Sequence, residues 1–174
     1  MTSFPALARL VRDVSLPPHR RRSRLRNCIH HFAPLGFTAT WNHLEAAHRI
    51  PRRIEKDPDS LVRALDELEA ARALVLPRAV AFADRRRAEK QEGRRSPATL
   101  HPWNSWGCNG IAYCPEPQTH PGEPLPLVVG RVLDACEAGV SPVGRCFVCG
   151  DEARRPRRAC RICGVQPGGR GTPL

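Results

Sequence analysis

A chain of 174 residues has room for one mid-sized core, and 18 prolines and 13 glycines, unevenly placed, favour folded pieces joined by irregular loops over disorder throughout. Its formal net charge of +11 points to polyanionic partners, and no run approaches the roughly 20 apolar residues that a membrane span needs. The charge is concentrated at the two ends: residues 1–56 carry net +8 and residues 138–174 net +5, around a near-neutral middle.

In chain order, residues 6–14 suit a short amphipathic helix that ends before Pro17-Pro18. A basic run follows, with Arg20, Arg21, Arg22, Arg24 and Arg26 leading into Ile29 and Phe32. Thr38 or Thr40 is placed to cap a helix running to Ile50, with Pro51 as its stop. The clearest helical pattern comes next: Asp57 as N-cap, Pro58 at the first helical position, and Leu61, Leu65, Leu68 and Val75 at helical spacing. Pro77 ends that helix or starts another that runs to about Gln91. Residues 93–126 hold seven of the 18 prolines and read as irregular, and residues 127–137 read as a last short helix with Gly139 as its stop.

The strongest chemical motif is near the C-terminus. Cys146-Phe-Val-Cys149-Gly150 and Cys160-Arg-Ile-Cys163-Gly164 are two copies of Cys-x-x-Cys-Gly. Two intervening residues let both thiolates of a pair reach one ion, and the glycine lets the backbone turn its amides toward sulfur. Four soft ligands close a tetrahedral site that suits Zn2+ and leaves no open position for catalysis. Residues 146–163 resemble the zinc-ribbon and zinc-knuckle class, which implies a small metal-bound β hairpin. Two disulfides are the competing use of these cysteines, and they need an oxidising compartment. Residues 1–16 are interrupted by Pro5, Arg9, Arg12 and Asp13 and show no secretory h-region, so the expected location is cytoplasmic. Between the two pairs, Arg154, Arg155, Arg157 and Arg158 present guanidinium forks that suit bidentate phosphate contacts.

Other constellations are less specific. His101, Cys108, Cys114 and His120 are all zinc-competent and share one loop, with Cys136 as a substitute for one histidine. That is a second, weaker metal site, set against an ordinary loop with free cysteines. The same loop holds Trp103, Trp106 and Tyr113, either a platform for stacking bases or anchors that pin the loop to the core.

With one helix ending near Ile50 and a second carrying Leu61, Leu65 and Leu68, residues 38–75 faintly resemble the middle of a winged helix-turn-helix domain. The resemblance implies that the second helix enters the major groove. Asp57, Asp59, Asp66, Glu67 and Glu69 on that stretch oppose it, because they repel phosphate against only Arg63 and Arg72. His43-Leu-Glu45 has the outline of half a zinc deaminase signature, but Arg145 stands where proline is expected and Cys160 and Cys163 go unexplained. No P-loop, G-x-S-x-G or H-E-x-x-H pattern occurs, so no enzyme is expected.

The expected fold is a mainly α N-terminal domain over residues 1–92, an irregular region 93–126, a short helix plus zinc ribbon over 127–165, and a disordered tail 166–174. The expected function is nucleic-acid binding through phosphates, DNA or RNA, as a regulator or accessory factor of transcription, replication or a mobile element. Two readings compete with it. In one, a zinc-stabilised adaptor turns the same arginines toward an acidic protein surface. In the other, 26 arginines against two lysines reflect only the codons of GC-rich DNA, in a reading frame with no selected function.

Overall fold

The structure, a computed structural model, describes residues 2–34, 36–94 and 123–138. Five α-helices account for most of these residues: α1 (Phe4–Arg12), α2 (Pro18–His31), α3 (Phe37–Ala47), α4 (Ser60–Gln91) and α5 (Leu125–Glu137). A single 3-10 turn, Ile54–Lys56, precedes α4, and no strand occurs among the described residues. The mainly helical N-terminal architecture is as the apolar spacing predicts. The segments expected to form a zinc-ribbon hairpin and a tail lie outside the described residues.

Each helix buries one stripe. In α1 it is Phe4, Leu7, Ala8 and Val11, and in α4 it is Leu61, Ala64, Leu65, Leu68 and Ala71. These positions recur at three and four residues, so their side chains stack along one face. Leu25, Cys28 and Ile29 of α2, Trp41 and Leu44 of α3, and Leu125, Val128, Val129 and Leu133 of α5 join the same core. Residues 125–137 therefore share one core with the helices of residues 1–92.

The helix ends differ from the sequence expectation in instructive ways. The first helix stops at Arg12, earlier than Val14, because the Asp13 carboxylate accepts hydrogen bonds from the Ser15 amide at 3.0 Å and the Ser15 hydroxyl at 2.6 Å. That local turn competes with the helix for the backbone. Gly36, at φ 81°, precedes α3, so Thr38 and Thr40 fall inside the first turn and do not cap it.

At its other end α3 stops at Ala47. The Ile50 amide donates to the Glu45 carbonyl at 2.9 Å and the Arg49 amide to Ala46 at 3.2 Å, with Arg49 at φ 52°. This is a Schellman closure with arginine in the left-handed position that glycine usually takes. Asp57 does accept a hydrogen bond from the Ser60 amide, at 3.2 Å, but α4 begins only at Ser60.

Pro77 neither ends α4 nor starts a new helix: the helix runs unbroken for 32 residues. Proline removes one ladder bond and crowds the carbonyl four residues back. The carbonyl left without its ladder donor is that of Ala73; next to it the Arg78 guanidinium donates to the Leu74 carbonyl at 3.3 Å and pairs with Glu137 on α5. The start of α5 is meanwhile tied to Glu67, so α5 lies along α4 in the same chain direction. The stretch of α4 bridged in this way is about 16 Å long at 1.5 Å per residue.

Candidate nucleic-acid interface

The basic run of residues 20–26 is helical and lies within α2. Helical periodicity divides its arginines by direction, because each residue turns about 100° from the last. Arg21 points inward and is only 3% exposed. Its Nε donates to the Val11 carbonyl at 2.6 Å, closing an otherwise unpaired carbonyl at the end of α1. Its Nη2 is buried with no hydrogen-bond partner among the described residues. Arg21 is thus a structural residue, and grouping it with its neighbours as a phosphate ligand is corrected by its burial.

The outward face of α2 is different. His19, Arg22, Ser23, Arg26, Asn27 and His30 line a groove of about 310 Å³, with no carboxylate among the lining residues. Aromatic rings of α3 lie beside two of these arginines. The guanidinium carbons of Arg22 and Arg26 lie 5.2 and 5.5 Å from the Trp41 ring centroid, and that of Arg26 also lies 5.5 Å from Phe37. The His30 ring stacks on Phe37 with centroids 4.3 Å apart and planes at 20°.

Arg22 is partly committed, donating to Glu45 at 3.1 Å and to the Arg52 carbonyl at 3.2 Å. Arg26 has the ring contacts but no hydrogen bond or ion pair among the described residues, so its donors remain available. A guanidinium supported by a ring loses less further freedom when it grips an anion. Arg20 is exposed and Arg24 half-buried, on the flank of α2 away from this groove.

The acidic residues of α4 are not a uniform repelling face. Arg12 donates to Asp66 at 2.5 Å and to Glu69 at 2.7 and 3.2 Å, and these bonds raise the affinity of its guanidinium for its proton. Arg63 pairs with Asp57 at 2.6 Å and lowers the Asp57 carboxyl below its ordinary range. What α4 presents to solvent near its start is therefore paired charge, which suits neither phosphate nor major-groove insertion.

Glu67 points inward. One carboxylate oxygen receives His43 Nε2 at 2.9 Å and the Leu125 amide at 2.5 Å, and the other receives His48 Nε2 at 2.5 Å. Burial by itself would push this carboxyl up, but the hydrogen bonds from His43, His48 and Leu125 outweigh it and hold it far below the usual carboxylate range. The joint ties α3 and the start of α5 to α4. Two residues of the deaminase outline are each committed to another side chain, His43 to Glu67 and Glu45 to Arg22. Cys28 is buried among apolar neighbours, and burial raises its thiol to about 11, so it is inert at neutral pH.

The cysteines of the expected zinc site, Cys146, Cys149, Cys160 and Cys163, lie outside the described residues. So do Arg154, Arg155, Arg157 and Arg158, the second set His101, Cys108, Cys114 and His120, the rings of Trp103, Trp106 and Tyr113, and the side chain of Cys136. Among the described residues no group of three or more His, Cys, Asp or Glu is arranged to hold a metal ion. No helix among them is long and apolar enough to cross a membrane.

Sequence reasoning picked out the arginines of α2 but not His19 and His30, which line the groove with them, nor Phe37 and Trp41, whose rings lie beside them. The one signal available was the alignment of His19, Arg22 or Ser23, Arg26 and His30 on successive turns of a helix. Nothing local marks Trp41 as their support. In comparisons with known proteins the chain matches no family model, no curated protein and no solved structure.

Proposed function

We propose that this chain is a cytoplasmic, zinc-stabilised nucleic-acid-binding protein, not an enzyme, that grips phosphate through the exposed arginines of α2. The observation that carries the reading is the groove on α2: cationic and neutral hydrogen-bonding side chains line it, and Arg26 lies on aromatic rings with its donors uncommitted. An anion entering there meets preorganised forks and no lining carboxylate. Arg20 and Arg24 extend the positive surface around the helix, and Arg154, Arg155, Arg157 and Arg158 belong to the same reading as a second basic patch. Cys146, Cys149, Cys160 and Cys163 are the proposed ligands of one structural zinc. A role as regulator or accessory factor in transcription, replication or mobile-element biology fits this surface. The paired charges of α4 weigh against winged-helix insertion into the major groove.

The test is affinity against salt for the wild type and three variants: Arg20→Glu with Arg24→Glu and Arg26→Glu, Arg154→Glu with Arg155→Glu, and Arg63→Glu. The first two should weaken binding to all sequences alike, and each lost phosphate contact should flatten the log–log salt slope by about one unit. Arg63→Glu should matter less, because Arg63 is occupied by Asp57. Wild-type binding no tighter than about 10⁻⁴ M at physiological salt would refute the reading and favour an adaptor that meets an acidic protein surface.

A further inference from the structure

We infer that the α2 groove takes single-stranded nucleic acid in preference to duplex, with a base stacked on the His30–Phe37 pair; this rests on the phosphate-binding reading above. Three features carry it. The first is the support of the cations. The guanidinium carbons of Arg22 and Arg26 lie 5.2 and 5.5 Å from the Trp41 ring centroid, and that of Arg26 lies 5.5 Å from Phe37, so both forks rest beside aromatic surface on α3. Splayed-out bases stack on guanidinium planes and rings, a face that a paired base does not offer.

The second feature is the ladder of side chains. His19, Arg22 or Ser23, Arg26 and His30 follow one another on successive turns, about 5.4 Å apart along the axis. Residues 19–30 therefore present a row about 16 Å long, enough for a few phosphates of one strand. The third is the exposed ring at its end. His30 is exposed, lines the groove and already stacks on Phe37 at 4.3 Å, so a base laid on the imidazole would extend an existing stack. Bases that are splayed out stack on aromatic rings and on guanidinium planes, whereas paired bases keep their faces inside the duplex. Every base has a π-face, so little sequence preference follows.

The test uses the full chain and fluorescence anisotropy with three labelled probes: an oligothymidylate of roughly 20 nucleotides, a duplex of the same length, and thymidine monophosphate. The expected result is single-strand binding at least about tenfold tighter than duplex at equal salt, with the mononucleotide weaker than either. His30→Ala should lower single-strand affinity roughly five- to tenfold with little effect on duplex. His30→Phe, which keeps the ring and removes the imidazole, should restore most of that loss. Duplex binding as tight as single-strand binding, or a silent His30→Ala, would overturn the inference and leave phosphate binding standing. A mononucleotide as tight as the oligonucleotide would overturn it in favour of a nucleotide pocket. Failure of all three probes would remove the phosphate-binding reading and the inference together.

Discussion

Replacing Glu67 tests the joint on which the described core depends. Glu67→Ala leaves three donors without an acceptor: His43 Nε2, His48 Nε2 and the Leu125 amide. The His43 side chain is 6% exposed and cannot turn to water, so its loss approaches the full desolvation cost, about 2 kcal/mol. The His48 side chain, at 19%, and the partly buried Leu125 amide can recover some hydration, and together they add about 1 kcal/mol. The expected loss is therefore about 3 kcal/mol, at the low end for breaking a buried charged network. Glu67→Gln keeps shape and one acceptor oxygen, and should cost about 1–2 kcal/mol at neutral pH.

The pH dependence follows from the same geometry. In the unfolded chain this carboxyl takes up a proton at its ordinary value of 4.5, and in the folded protein only at far lower pH. Its contribution is thus complete above about pH 5 and lost as the medium becomes more acid, because unfolding then binds a proton. The slope approaches 1.36 kcal/mol per pH unit below 4.5. Asp13 and Asp57, also lowered, add in the same direction, so the readout is the difference between wild type and Glu67→Gln. Urea unfolding followed by helical circular dichroism at several pH values from 7 to 3 measures it. A loss below about 0.5 kcal/mol for Glu67→Ala, or parallel curves for wild type and Glu67→Gln, would refute the ionised joint.

Elemental analysis of protein prepared without chelator should find at least one zinc per chain, and Cys149→Ser should release it. The described helices should survive that substitution, since their apolar stripes form a core without metal; zinc-free protein would end the metal reading. Cys108→Ser should leave the zinc content unchanged, and a drop of about one zinc per chain would instead establish the second site at His101, Cys108, Cys114 and His120. Arg21→Met should cost only about 1 kcal/mol in thermal melts, because loss of the bond to the Val11 carbonyl is partly offset by removal of a buried nitrogen with no partner. It should also leave nucleic-acid affinity untouched. A destabilisation above about 2 kcal/mol would mean that the Arg21 guanidinium is fully satisfied.

Short-range pattern was enough for the helices. The stripe of Leu61, Leu65 and Leu68 and the stops around Pro17-Pro18 and Pro51 are read from residues a few positions apart, because one helical turn is the range over which spacing, capping and proline act. The same range explains why the arginines of residues 20–26 looked equivalent: by composition Arg21 and Arg20 are the same residue. Only the packing of α1 against α2 turns Arg21 toward the Val11 carbonyl and leaves Arg20 in water. Pro77 shows the converse, since its local rule favours a break while the helix, packed along α5, runs on through it. Glu67 reads as one more acid on an acidic stretch until α3 and α5 deliver His43, His48 and the Leu125 amide from 24, 19 and 58 residues away. The ring support is likewise tertiary, with α2 supplying Arg22 and Arg26 and α3 the rings of Trp41 and Phe37 beside them. Backbone sterics and periodicity act between neighbours and can be read along the chain. Burial, charge pairing and ring support act across space, and which distant groups they join is decided only when the helices pack.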